Sequence, residues 1–366
     1  MHYRCAKLVL ILGIGICGPF LHAVVEAWYL TYPASPASSI AIHWIDSSCE
    51  VQELSYCAEP GEWISVSSVV HPLQSYALHT VALYDLAEET AYRFVLQGKE
   101  HAFHTLSSKK TFHMVIGGDV YRNKTIFAKT CAQVCAMRPD FVVFGGDLAY
   151  AKEDLETWIS FFRALEEHLA LPFVAVVGNH DINKRSASHL FPLFFPYFSP
   201  YGVVDVTDFC SLFLLDSGHL ASIRGEQSTF LAKALHARAL TAHKIPIYHV
   251  AAYPSVYAYD KKAPTLIRTF WVPFFEKYGV SLVFEHHNHA WKRTKPLLQE
   301  HIHSKGIVFL GDGSFGARPR APNKNLWYIE NSKKSPCFSW VEVSPNSLSV
   351  KTIDHKGFLL DSWNDK

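Results

Sequence analysis

The chain has 366 residues, with 34 Lys and Arg against 33 Asp and Glu, and 49% of its residues are hydrophobic. Such a chain can bury a large core and is long enough for two domains. Its near-balanced charge lacks the basic excess of a nucleic-acid-binding surface, so no nucleic-acid binding is expected.

Residues 1–27 read as an export signal: Arg4 and Lys7 precede an apolar run from Leu8 to Ile16, and cleavage positions end at Ala23 or Ala27. The run is short for a membrane span. Cleavage leaves no stable span and implies a periplasmic, secreted or cell-surface protein, whereas an uncleaved segment would act as an anchor. Cys17 follows a bulky Ile16, a poor fit to a lipoprotein site. The later cysteines, Cys49, Cys57, Cys131, Cys135, Cys210 and Cys337, lack the tight pairwise spacing of a zinc site. Cys49 and Cys57 are close enough in sequence to pair in an oxidising compartment. The spacing of Cys131 and Cys135 suits one buried helical face.

From residue 28 to 106 short alternating segments, such as Ser39–Ile45, His79–Leu83 and Ala91–Leu96, are separated by Pro, Ser and Gly. They predict a small all-β sandwich with Trp44 in its core and no catalytic grouping, a structural or docking module. Residues 107–110 read as a linker. Beyond it, strands alternate with helices predicted over Lys124–Met137, Asp154–Leu169, Glu226–Thr241 and Pro264–Lys277. Strands return at Gly306–Leu310, Phe338–Val343 and Leu348–Ile353. The span 111–366 is therefore expected to be an α/β sandwich with its site at one edge of paired sheets.

One design recurs through this second region: an apolar run with a metal-ligand residue type at its carboxyl end. Phe141–Phe144 lead through two glycines to Asp147 and Tyr150. Met114–Ile116 lead to Asp119, and Phe173–Val177 lead to Gly178-Asn179-His180-Asp181. Ile247 precedes His249, and Leu282–Phe284 precede His286-His287-Asn288-His289. Open α/β folds collect their chemistry at the carboxyl ends of strands. Mixed carboxylate, phenol, amide and imidazole donors suit a pair of first-row metal ions.

The order Asp119, Gly146-Asp147-Leu148-Ala149-Tyr150, Gly178-Asn179-His180-Asp181, His249, His287-Asn288-His289 resembles the five blocks of the purple acid phosphatases, within the calcineurin-like metallophosphoesterases. Gly225-Glu226-Gln227, His289-Ala290-Trp291-Lys292-Arg293-Thr294 and Gly311-Asp312-Gly313 stand where that family has similar strings, and His79–Gly98 resembles the last strands of its fibronectin-type leader. The resemblance implies a fibronectin-type β-sandwich over 28–106 followed by the metallophosphoesterase domain. It implies Asp119, Asp147, Tyr150 and His289 on ferric iron, and Asp147, Asn179, His249 and His287 on a divalent Fe, Zn or Mn ion. It further implies hydrolysis of phosphate monoesters by a metal-bridging hydroxide, with His180 reaching the phosphoryl group and Asp181 orienting the His180 ring. A phosphodiesterase or nucleotide hydrolase on the same scaffold, and a catalytically impaired surface binding protein, are the alternatives.

The sequence departs from the family pattern at three positions. Tyr121 stands where the first block has glycine and either crowds the first metal or packs elsewhere. Tyr259 stands ten residues after His249, where the family often has the histidine that protonates the leaving group, so protonation is either weak, favouring activated esters, or taken over by His180 or Tyr259. His286 replaces a glycine and is either a packed neighbour or a substrate contact. His219, His301 and His303 read as surface or satisfied histidines. Arg318, Arg320 and Lys324 read as a solvated basic loop or as one facing a phosphate-rich substrate. The sequence fixes no oligomeric state.

Overall fold

The computed structural model describes residues 24–186 and 188–365. The expected export signal falls, up to residue 23, outside these residues. Two large sheets organise the rest. The first contains ten strands in the order Leu359–Asn364, Ser347–Asp354, Cys337–Ser344, Phe112–Gly117, Phe141–Phe144, Phe173–Ala175, Ala27–Thr31, Ile40–Asp46, Tyr76–Leu83 and Val69–Leu73. The second contains seven: Gly202–Thr207, Cys210–Leu215, His243–Val250, Leu282–His286, Val308–Asp312, Trp291–Thr294 and Ile329–Lys333. The strands that lead to the candidate ligands pair in parallel within each sheet.

Side-chain alternation makes these sheets stack. Successive strand residues point to opposite faces. Met114, Ile116, Phe141 and Val143 therefore meet Leu212, Leu214, Ile245, Ile247, Leu282 and Phe284 in one shared core. Val115, Val142 and Phe144 face the other way and pack under the helices Lys124–Met137 and Leu155–His168. Phe213, Leu215, Tyr248 and Val283 do the same for the helices Glu226–Ala237, Lys262–Phe270 and Val272–Lys277. The result is four layers, helix on sheet on sheet on helix. This explains why the strands read as uninterrupted apolar runs: both of their faces are buried.

The helix boundaries follow local chemistry. The Asn123 side chain accepts from the Ile126 amide and the Asp154 carboxylate from the Thr157 amide, so both act as N-caps. The helix expected over Pro264–Lys277 breaks at Trp271. Pro273 has no amide proton to donate to the preceding turn, and its ring collides with the carbonyl four residues back. None of the described helices is long and apolar enough to cross a membrane.

The stretch 28–106 is β throughout, but its strands divide between two sheets. Glu53–Ala58, Ile64–Ser67, Ala91–Leu96 and Lys99–His104 form a separate four-stranded sheet. The others join the ten-stranded sheet, because Ala27–Thr31 runs parallel to Phe173–Ala175 with Thr31 opposite Phe173. Trp44 is buried, as expected, and stacks on His79 at 5.1 Å. Tyr29 stacks at 4.1 Å on Phe162 of the helix Leu155–His168. Residues 107–110 therefore do not separate two independent cores. Among the described residues no two cysteines form a disulfide. Cys131 is buried and Cys135 exposed, so the two do not share one buried face.

Candidate metal centre

The two strands that carry Asp119 and Asp147 remain zipped together beyond their ends. The Gly145 amide donates to the Gly117 carbonyl at 2.9 Å, Asp119 to Gly146 at 2.9 Å and Val120 to Asp147 at 2.8 Å. This pairing sets the two carboxylates side by side. From the opposite sheet, the His287 amide donates to Asp119 Oδ2 at 2.9 Å, which ties the sheets together at the site. Asp119, Asp147, Tyr150, His287 and His289 all have positive φ, between 49° and 66°. Non-glycine residues in this region cost on the order of 1–3 kcal/mol each and persist only where the surroundings fix them. Here the amide ladder and the carboxylate bridge supply that constraint.

The candidate ligands form two groups. Around Asp119 Oδ1, the Tyr150 hydroxyl donates at 2.9 Å and His289 Nε2 lies at 2.8 Å, with Tyr150 Oη and His289 Nε2 3.3 Å apart. The second group holds Asp147, His249 and His287, whose ligand atoms lie within 4.8 Å of one another. Asp147 Oδ2, Asn179 Oδ1, His249 Nε2 and His287 Nδ1 are buried and lack a hydrogen-bond partner. Buried polar atoms are nearly always satisfied. Three of these atoms belong to the group within 4.8 Å, Asn179 lines the same cavity as His287, and all four are of ligand type, which fits a metal ion.

Electrostatics reinforce this. Burial alone would raise the Asp119 carboxyl, but the bond and charge of His289, with His249 and His287 nearby, hold it below the usual carboxylate range. Burial likewise opposes ionisation of Asp147, and the His249 charge overrides it. His249 would be depressed by burial, yet the Asp147 charge raises it to about 10. Burial and the charge of His249 push His287 down to about 4, so it is a neutral donor at ordinary pH. Burial and the Asp119 and Asp147 charges push the Tyr150 phenol up. A phenolate there requires a strong positive charge beside it, which a metal ion would supply.

Other expected site residues divide. His180 is half-buried, stacks on the Tyr150 ring at 4.8 Å and donates its amide to Asp147 Oδ1 at 2.7 Å. Asp181 does not orient the His180 ring. Its two carboxylate oxygens accept the Leu148 and Gly178 amides at 2.7 and 2.8 Å, clamping two ligand loops together. Burial and the Asp147 charge raise the Asp181 carboxyl to about 8.

Tyr259 does not reach the ligand cluster. Its ring lies under the Arg268 guanidinium, 3.5 Å from carbon to centroid, and packs near Tyr328. The tyrosine at the cluster is Tyr257, whose ring stacks on His287 at 4.9 Å and whose hydroxyl accepts from Arg320. Tyr121 turns away from the ligands, against Phe127 and Phe161. His286 is buried, with its ring against Gly118 and Gly145, so it is a packed neighbour.

His219 is half-buried, with its Nε2 3.2 Å from the Ser217 hydroxyl, so it is a satisfied histidine on that side. It lies 5.8 Å from His249 by ring centroids, and burial pushes it down to about 3. His301 and His303 are exposed. Sequence reading also passed over Glu285, which sits fully buried behind the histidines. It accepts from the Ala252 and Tyr253 amides, the Tyr248 hydroxyl and the Lys292 ammonium. Its place one residue before the histidine block was the available signal.

Two cavities flank the cluster. One, of about 370 Å³, is lined by Asn179, His219, Val250, Pro254, Tyr257 and His287, with Lys184 and Lys261 at its walls. The other, of about 510 Å³, is lined by Arg122, Asn123, His289, Arg318, Pro319 and Arg320.

Residues 103–291 match the calcineurin-like phosphoesterase family. The chain is similar to purple acid phosphatase 21 of Arabidopsis thaliana, 22% identical over 308 residues that cover 76% of this chain and 66% of the relative. It is similar to the probable purple acid phosphatase 20 of the same plant, 23% identical over 325 residues covering 78% and 74%. In fold it is similar to the purple acid phosphatase PPD1 from yellow lupin (Lupinus luteus) seeds, with a TM-score of 0.79 and 15% identity. That likeness covers 93% of this chain and 74% of the lupin one.

Proposed function

The chain belongs to the calcineurin-like phosphoesterase family, and from that membership we propose a hydrolase of phosphate monoesters that works with two metal ions. The observation that carries this reading is the pair of ligand groups, with four buried donor atoms that have no partner. In this reading Asp119, Tyr150 and His289 hold one ion, Asn179, His249 and His287 hold the other, and Asp147 is shared. Two bound ions would supply a water of lowered pKa and positive charge for the phosphoryl oxygens. A phenolate donor favours a trivalent iron in the first position, and the amide and imidazoles favour divalent Fe, Zn or Mn in the second.

The chain's own groups do the rest. His180 would donate to a phosphoryl oxygen, its ring steadied by Tyr150. Asp181 holds the loops of Asp147 and Asn179 in register through its two amides. Tyr257 walls the His287 side. With Tyr259 under Arg268, proton delivery to the leaving group is weak, and activated esters are favoured. Equal rates on aryl and alkyl phosphates at one pH would count against this.

We also read the protein as exported, with strands 27–104 as a fibronectin-type module joined to the catalytic sheet. Cleavage after Ala23 would leave the first strand whole, since Ala27 is buried and pairs with Ile45.

Elemental analysis with a visible spectrum on one sample tests the metal reading. About two metals per chain with a tyrosinate-to-iron band support it with Tyr150 as ligand. Two metals without the band reassign the pair to manganese or zinc. No metal after attempted reconstitution overturns it.

A further inference from the structure

We propose that His219 contacts the substrate, donating a hydrogen bond from Nδ1 to an oxygen of the bound phosphoryl group on the His249 side of the centre. This rests on the phosphoesterase reading above and adds to it a residue outside the candidate ligands and His180.

The bonds around the ring assign its proton. Ser217 Oγ accepts the Val250 amide at 2.9 Å and lies 3.2 Å from His219 Nε2. An amide N–H only donates, so the Ser217 proton is directed to Nε2 and the neutral ring carries its own proton on Nδ1. That Nδ1 is buried and has no hydrogen-bond partner among the described residues. Two buried histidines of the scaffold differ from it. His43 is bonded through both ring nitrogens, to Thr31 and Thr80, and His79 through both of its own, to Ser68 and Asp46. Packing fills both nitrogens in those two, whereas His219 keeps one open. A buried donor without an acceptor is costly, and an acceptor that arrives with the substrate accounts for it.

The neighbours place that acceptor. The His219 ring lies 5.8 Å from His249 by centroids and lines the 370 Å³ cavity together with Asn179 and His287. Three candidate ligands of one ion therefore adjoin it. His180 stands on the other side, stacked on Tyr150 at 4.8 Å. A phosphoryl group at the centre would meet one histidine from each side. Donors fixed in advance where phosphoryl charge gathers need no reorientation during the reaction.

The loop that carries His219 holds it still. The buried Asp216 carboxylate accepts the Gly218 and His219 amides on Oδ1 and the Leu220 and Ala221 amides on Oδ2. Gln227 closes the same turn, accepting the Asp216 amide and donating to the Asp216 and Ser222 carbonyls. Ser217 in turn is fixed by the amide of the residue that follows His249. One bond network thus sets both the donor and a ligand strand.

The test compares the metal-loaded full chain with His219→Ala, His219→Asn and His219→Gln. The Asn amide nitrogen can take the place of Nδ1, and the Gln amide nitrogen that of Nε2. Inorganic phosphate binding is read by titration calorimetry, metal content by elemental analysis, and kcat/KM on an aryl phosphate. In His219→Ala we expect phosphate to bind about ten-fold more weakly and kcat/KM to fall about ten-fold or more, the loss of one hydrogen bond to a charged group, with metal content as in wild type. His219→Asn should recover part of both and His219→Gln should not. Unchanged phosphate binding in His219→Ala, equal losses in the Asn and Gln variants, or loss of metal from His219→Ala would each overturn the proposal while leaving the phosphoesterase reading intact. A wild type that takes up no metal or hydrolyses no ester would overturn that reading, and this proposal with it.

Discussion

The His249 ring donates from Nδ1 to the Gly145 carbonyl at 2.9 Å. A carbonyl only accepts, so this bond places a proton on Nδ1 and turns Nε2 toward the cluster, 3.4 Å from Asp147 Oδ2. The backbone of the Asp147 loop thus sets the tautomer of a candidate ligand on the facing sheet.

Asp147→Asn should remove metal from this centre. The change keeps the oxygen that accepts the His180 amide but discards the charge shared by both groups. Activity is expected to fall by more than about 100-fold, beyond the 10- to 100-fold loss of an outer-shell partner. Elemental analysis should show fewer than two metals per chain, with the far-UV circular dichroism unchanged. Full activity would sink the ligand assignment.

Gly145→Ala tests the packing beneath the site. A Cβ there would overlap the His286 ring. Forcing a methyl into a filled core costs about 1–3 kcal/mol, read as a lower midpoint in urea. Adding His286→Ala should return part of that stability. Additive losses would show that the two positions do not share the space.

Lys292→Met leaves the fully buried Glu285 carboxylate without its cation. Breaking one side of a buried ion pair costs about 3–5 kcal/mol. Glu285 also joins the loop after His249 to the strand before His287 through the Ala252 and Tyr253 amides. Metal affinity should therefore fall together with the melting temperature. A stable variant that also binds metal normally would remove Glu285 from the support of the site.

Acid should weaken the amino-terminal strands through His43. Its ring is fully buried between Thr31 and Thr80, at 2.8 and 2.9 Å, and burial lowers it to about 3. The unfolded chain binds that proton near pH 6.5 and the folded chain does not. The stabilisation from neutral His43 is therefore complete above about pH 6.5 and is lost as pH falls toward 3, by about 2 kcal/mol at pH 5. Thermal unfolding at pH 7.5 and 5 should show a larger drop for wild type than for His43→Gln. Identical drops would exclude His43 as the cause.

Tyr257 and Tyr259 separate site from scaffold. Tyr257→Ala removes the ring against His287 and should raise KM several-fold. Tyr259→Phe keeps the ring under Arg268 and should not move the pH–rate profile. A basic-limb shift in Tyr259→Phe would restore it as an acid.

The sequence by itself determined where the candidate ligands stand: apolar runs ending in Asp119, Asp147, Asn179, His249 and His287 mark buried strands with ligand residue types at their carboxyl ends. That pattern is local, so it survives in one dimension. The alternating faces of those same runs also carried the layered α/β fold, as Met114 and Ile116 show against Val115. Tertiary structure decided what depends on pairing between distant segments. It joined Ala27–Thr31 to Phe173–Ala175, turning a separate leader into part of the main sheet. It gave Asp181 to two backbone amides instead of the His180 ring, and drew Tyr259 under Arg268 while setting Tyr257 on His287. These outcomes follow from which loops the two sheets bring within reach, and neighbours in sequence hold no record of that distance.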